Sequence, residues 1–282
     1  MNLLKQYTPK DGYTPLVKPG KDGIELLEVG ILRLQPGSAY RGVSEGQEVC
    51  IVLLGGLANV TVGETGFVSI GGRATVFAGR ATTLHIPPGF KFKVEAIGAV
   101  EAAIARVPSD LPGEPRLIGP EKVKVSTRGK DACERQVHDV LGAGFPAKRI
   151  VVGETFCSAG RWASYPPHKH DREAPPEETR HEEVYFYKFN PPQGFGFQRV
   201  YTADRSLDEA MAVGDCDVVL VPEGYHPFGA PAGYDAYYLN IMAGPNRAWH
   251  FTIDPDHAWL MNWSPSAPVA ESTSAGLPDG HR

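Results

Sequence analysis

Short apolar runs, each cut off by glycine or proline, leave this chain little choice of architecture. EVCIVLLGG (48–56), ANVTV (58–62), KFKVEAIG (91–98), DVVLVPEG (217–224) and DAYYLNIMAG (235–244) have the length of strands and end in turn-forming residues. Glycine and proline, 32 and 25 of the 282 residues, supply such punctuation throughout. A 3.6-residue apolar period is scarce: RSLDEAM (205–211) offers at most one short turn-like piece, which argues against alternating strand-helix units. The expectation is an all-β sandwich or barrel with few short helices.

The pattern also repeats. LHIPPGFKFKV (84–94) lies beside VLVPEGYHPFG (219–229), each a strand, a Pro-Gly turn and a second strand. EVCIVLLGG then lies beside EVYFYKFNPPQG (183–194), pairing Glu48 with Glu183. Two copies of one β-barrel unit are inferred, at 1–110 and 136–265. Residues 111–135 form a Pro-, Gly- and charge-rich connection in which part of KVKVST pairs as a strand, and the small, polar tail 266–282 is expected to be disordered.

A net charge of −5 with no sustained basic block excludes a phosphate-tracking nucleic-acid surface, so an acidic small substrate would need a local cationic pocket. No signal-like leader and no uninterrupted apolar run of membrane-spanning length are present, so a cytoplasmic protein without a membrane partner is expected; self-association is compatible with it. Cys50, Cys133, Cys157 and Cys216 form no CxxC pair and are read as small apolar thiols.

The chemistry concentrates in YPPHKHDREAPPEETRHEEVYFY (165–187). On a strand, residues two apart share a face, so His168 and His170 point one way and Lys169 the other. Glu183 opens the return strand after a long loop, and His226 in PEGYHPFG supplies a fourth group. Three imidazoles and a carboxylate suit one divalent ion, with zinc, iron, manganese and nickel all admissible, and leave positions for substrate. Glu182 falls on the opposite face from Glu183, whereas Tyr185 and Tyr187 share the face of Glu183. In the first copy Lys91 stands where the second has His226, and no HxH precedes Glu48, so that barrel is expected to lack metal.

HxH, then Glu, then PxGxH resembles the cupins. SYPPHKHD (164–171), EEVYFYKFNPPQGFGFQRVY (182–201), AVGDCDVVLVPEGYHPFGAPAGYDAYYLNIMAGPNRAW (212–249) and DPDH (254–257) together resemble the 5-deoxyglucuronate isomerase family of bacterial myo-inositol catabolism. The resemblance is strongest over 136–260 and implies a bicupin that converts 5-deoxy-D-glucuronate to 2-deoxy-5-keto-D-gluconate. The insert DREAPPEETRHE is longer than the link in many cupins.

Moving a carbonyl from C1 to C2 removes a proton beside a carbonyl, and a divalent ion stabilises the charge that develops on oxygen. Tyr185, Tyr187 or a hydroxide on the ion are the candidate proton carriers. Arg199 or Arg247 would pair with the substrate carboxylate. In FGFQRVY either Gln198 or Arg199 faces inward, but not both; Tyr238 and Asn240 share a face and are further candidates for the pocket lining. Rival readings are a ferrous cupin dioxygenase using the same ligands and a non-catalytic sugar-acid-binding bicupin.

Overall fold

The computed structural model describes residues 1–142, 144–158 and 160–263; the tail expected to be disordered lies outside them. Almost all regular structure is antiparallel strand. In the first half, a six-stranded sheet contains Gln47–Gly55 and Val100–Pro108 at its centre, and a four-stranded sheet contains Lys91–Ala96 and Leu57–Val62. In the second half a seven-stranded sheet is centred on Glu182–Asn190, Asp235–Ala243 and Ile150–Cys157. It is accompanied by a four-stranded sheet and by the two-stranded pair His168–Lys169 and Thr252–Ile253. The helical segments among the described residues are short 3-10 pieces, the longest being Pro255–Asn262.

EVCIVLLGG is apolar without interruption because both of its faces are buried. Val49, Ile51 and Leu53 pack inside the first half, whereas Cys50, Val52 and Leu54 join a second core shared with Val184, Phe186, Leu239 and Ile241 of the other half. The two large sheets therefore lie back to back, and each fully buried aliphatic side chain there contributes roughly 1.5–3 kcal/mol. The chain start does not stay with the first half: Leu4–Lys5 pairs with Val218 and Val219, and Leu3 is completely buried. The connecting segment gives an edge strand to each side, Arg116–Ile118 to the first and Lys124–Arg128 to the second. RSLDEAM is a turn running into the strand Asp208–Gly214, whose Met211 and Val213 alternate inward with exposed neighbours.

Strand register corrects the repeat by one residue. Val49 pairs with Ile86, immediately before Pro87, and Glu183 pairs with Val221, immediately before Pro222. Val49 is thus the counterpart of Glu183, and Glu48 that of Glu182. The two glutamates behave alike. Glu48 accepts the backbone N–H groups of Lys148, Arg149 and Ile150 at 2.7–3.0 Å, and Glu182 those of Glu25, Leu26 and Leu27 at 2.6–2.8 Å. Each carboxylate reaches the chain that enters an interior strand of the opposite half's large sheet, Ile150–Cys157 for Glu48 and Glu28–Leu34 for Glu182. All four cysteines are free thiols, and three of them are buried.

Candidate metal centre

His168 is held by the pairing of its short strand with Thr252–Ile253. Lys169, pointing the other way, meets the buried Glu178 carboxylate at 2.9 and 3.1 Å. That carboxylate also accepts the backbone N–H groups of Asp171 and Arg172 at 2.8 Å and the Thr252 hydroxyl at 2.7 Å. The insert 171–182 is consequently wound around one acid, and its end is fixed where the His181 N–H donates to the His170 carbonyl at 2.7 Å. This ordered loop returns the chain so that Glu183 opens the next strand beside His170.

His226 follows a turn that requires glycine. Gly224 has φ +89°, and a Cβ there would lie 2.5 Å from the Tyr201 carbonyl oxygen. The Gly224 carbonyl accepts from His226 Nδ1 at 3.0 Å, and the His181 carbonyl accepts from His170 Nδ1 at 2.9 Å. A carbonyl can only accept, so in both rings the proton is on Nδ1 and Nε2 is turned to the centre, an arrangement usual for metal-ligating histidines. Nε2 of His170 and of His226 lie 3.2 and 3.4 Å from the same Glu183 oxygen. Ligand atoms of His168, His170 and His226 all lie within 4.8 Å of one another.

The donor set fits a cation. His226 Nε2 is buried with no hydrogen-bond partner, facing a carboxylate oxygen that is also an acceptor. Donors about 2.1 Å from a common ion stand roughly 3–3.4 Å apart, the spacing seen around Glu183. Burial pushes the His226 imidazole down to about 4, and burial together with the other two imidazoles, then Arg135 and Arg128, holds His168 well below its usual value. Burial would lower His170 as well, but its contact with Glu183 prevails and raises it. Glu183 is held below the usual carboxylate range: burial, which would raise it, is outweighed by His170 and His226. Glu182, on the other face, is occupied by the backbone of residues 25–27, so strand parity separates the two neighbouring acids.

A cavity of about 60 Å³ opens beside His168 and Glu183, lined also by Tyr185, Tyr238, Asn240, Thr155, Ser164, Trp249 and two arginines, Arg128 and Arg135. Tyr185 is kept far above the ordinary phenol range by burial, then by the nearby charge of Glu183. Tyr187 is not part of the lining; it is fully buried and its hydroxyl donates to Gln198 Oε1 at 2.6 Å. Gln198 is interior, and Arg199 lies outside in a two-pronged pair with Asp208 at 2.7 Å. Arg247 does not reach the cavity either: its guanidinium donates to the carbonyls of Ile150, Phe145, Leu141 and Gly142, bracing the chain there. Tyr238 and Asn240 do line the cavity, and Asn240 Oδ1 is buried with no partner. Ser164 and Trp249 lie at the ends of stretches that resemble the family but carry no ligand-type side chain, and Thr155 lies outside those stretches, so the sequence singles out none of the three. Arg128 and Arg135 both lie within 111–135, the stretch read as a connection.

A model of the KduI/IolB family matches residues 3–260. The chain is 43% identical over 261 residues to a 5-deoxy-glucuronate isomerase of Geobacillus kaustophilus, covering 92% of this chain and 95% of that protein. The crystal structure of an IolB-like protein from Salmonella typhimurium superposes with a TM-score of 0.90 at 42% identity, over 93% of this chain and all of the other. The oxalate decarboxylase of Lactobacillus farciminis shares the fold at 13% identity, with a TM-score of 0.63 over 94% of this chain and 91% of its own.

Proposed function

Because the chain belongs to the KduI/IolB family, we propose that it is a metal-dependent 5-deoxy-glucuronate isomerase, converting that aldose acid to 2-deoxy-5-keto-D-gluconate in the cytoplasm. The observation that carries the metal is the cluster of His168, His170 and His226, two of whose Nε2 atoms meet the Glu183 carboxylate, with the buried His226 Nε2 lacking a hydrogen-bond partner. The identity to curated isomerases over most of the chain supports the reaction and the substrate.

His168, His170, Glu183 and His226 would hold one divalent ion, which supplies Lewis-acid polarisation of the substrate carbonyl and the neighbouring hydroxyl. Tyr185 keeps its proton at neutral pH because burial and the adjacent carboxylate oppose a phenolate. It therefore serves as a hydrogen-bond donor and proton source toward oxygen on which charge develops, rather than as the resting base. Asn240 Oδ1 offers an acceptor to a sugar hydroxyl, and Ser164 and Thr155 extend the polar wall. Trp249 and Phe251 stand against His168, with ring centroids at 6.5 and 5.0 Å, and shield that imidazole from bulk water. Tyr187 acts at one remove, holding Gln198 in the wall of the barrel.

The test is incubation of the purified, metal-loaded protein with 5-deoxyglucuronate in D2O, followed by NMR and an oxygen electrode. Ketose carrying deuterium at the former aldehyde carbon, C6 of 2-deoxy-5-keto-D-gluconate, without oxygen uptake is expected. Ketose that retains all the substrate hydrogen would replace proton transfer by a hydride shift. Oxygen consumption without ketose would favour the dioxygenase reading.

A further inference from the structure

Arg128 and Arg135 are direct cross-strand partners in the antiparallel pair formed by Lys124–Arg128 and Arg135–Leu141. Both line the cavity that contains His168 and Glu183. Like charges set directly opposite on paired strands repel each other, and the surrounding acids do little to relieve it. Arg128 approaches Asp139 only at 3.7 Å, with both side chains substantially exposed. Arg135 gives one N–H to the Cys133 carbonyl at 3.1 Å, and among the described residues no carboxylate forms an ion pair with it. Arg135 shares strand parity with Val137, which lines the same cavity, so its position is built into the barrel's inner face. Two cations without adequate counter-charge, side by side at the rim of a metal-binding cavity, form a receptor for an anion.

We infer that Arg135, assisted by Arg128, receives the carboxylate of the sugar acid and so fixes which end of the substrate meets the histidine–glutamate set. This rests on the isomerase reading and deepens it. In an aldose acid the carboxylate is at the opposite end of the carbon chain from the carbonyl, so its counter-charge must stand away from the metal ligands on the same cavity. A guanidinium matches a carboxylate with paired donors. A neutral sugar would leave the arginine pair unrelieved, which turns the repulsion into selectivity for acids. Arg135 is only partly exposed and is the main anchor; Arg128, with a side chain 46% exposed, is the weaker one.

The experiment compares kcat/KM for 5-deoxyglucuronate with that for 5-deoxyglucose, in which a hydroxymethyl group replaces the carboxylate, while metal content is measured on every sample. The acid-to-neutral preference should fall about 100-fold in Arg135→Met and about 5-fold in Arg128→Met, with metal bound as in the wild type. Equal losses on both sugars, or an unchanged preference, would overturn the assignment while leaving the isomerase reading in place. Calorimetric binding of glucuronate against glucose gives an independent readout. If the wild type fails to isomerise the acid, the isomerase reading falls, and the anchor is then judged by binding alone: glucuronate preference lost in Arg135→Met supports it, and preference retained overturns it.

Discussion

Two tyrosines two residues apart on one strand face have different chemical situations, and the difference is measurable. Tyr185 lines the cavity and carries a phenol held far above its ordinary range, whereas the Tyr187 hydroxyl is engaged with Gln198. Tyr185→Phe should lower kcat about 100-fold with the metal retained. Tyr187→Phe should cost about 1 kcal/mol of stability through the lost buried hydrogen bond and change kcat only a few-fold; steady-state kinetics with thermal melts separate the two. A His168→Ala/His226→Ala double variant should lose the bound metal by elemental analysis, and full occupancy would remove these residues as ligands. What was legible at this scale was parity: the alternation of a strand put His168 with His170, Glu183 with Tyr185, and Lys169 and Glu182 on the other sides. Illegible were Arg128 and Arg135, because their apposition depends on the register with which Lys124–Arg128 pairs with Arg135–Leu141 at the edge of the large sheet, and no local pattern encodes that. Arg199 and Arg247 were plausible as cations but are committed to Asp208 and to backbone carbonyls, partners that sequence alone did not reveal.

Among the elements, the insert between His170 and Glu183 departs most from a short cupin link, and its order comes from Glu178. Burial would raise this carboxyl, but Lys169, Thr252 and the amides of Arg172 and Asp171 prevail and bring it down to about 2 from 4.5. A group with a depressed folded pKa stabilises the fold fully above its unfolded value and loses that contribution as pH falls through the folded one. Glu178→Gln should therefore be less stable than wild type by about 2 kcal/mol near neutrality, since hydrogen bonds to a charged acceptor are weakened. The gap in melting temperature should narrow progressively as pH is lowered from 4.5 toward 2. A gap that stays constant over that range would mean that Glu178 is not ionised in the fold. The sequence showed this stretch only as acidic and proline-rich, a composition that more often signals a solvated loop. It is ordered because one acid in it is satisfied by partners on two separate segments, residues 169–172 and Thr252.

For the molecule as a whole, the two-unit plan was readable from the Pro-Gly repeat, but counting along the chain from that turn paired Glu48 with Glu183. The sheet register pairs it with Glu182, and the consequence is physical: the position that Glu183 holds beside the histidines of the second half is taken in the first half by Val49, packed in an apolar interior. Glu48 and Glu182 instead fasten each half to the other, reciprocally, each by three backbone amides. Arg73 and Glu154 add a buried ion pair at 2.6 Å, with the Tyr237 hydroxyl donating to the same acid at 2.8 Å. Such contacts, together with an apolar core that draws side chains from both large sheets, make independent unfolding of the halves costly. Glu182→Ala would leave the N–H groups of residues 25–27 without their acceptor at a largely buried junction, which should cost about 3 kcal/mol. The lost stability should appear as a lower denaturant midpoint with the slope unchanged, because the halves unfold together. Circular dichroism, which follows both sheets, and the fluorescence of the four tryptophans, Trp162, Trp249, Trp259 and Trp263, which follows the second half alone, should give coincident transitions in wild type and variant. Separation of the two curves in the variant would show that the glutamate clasp, rather than the shared core, is what couples the halves.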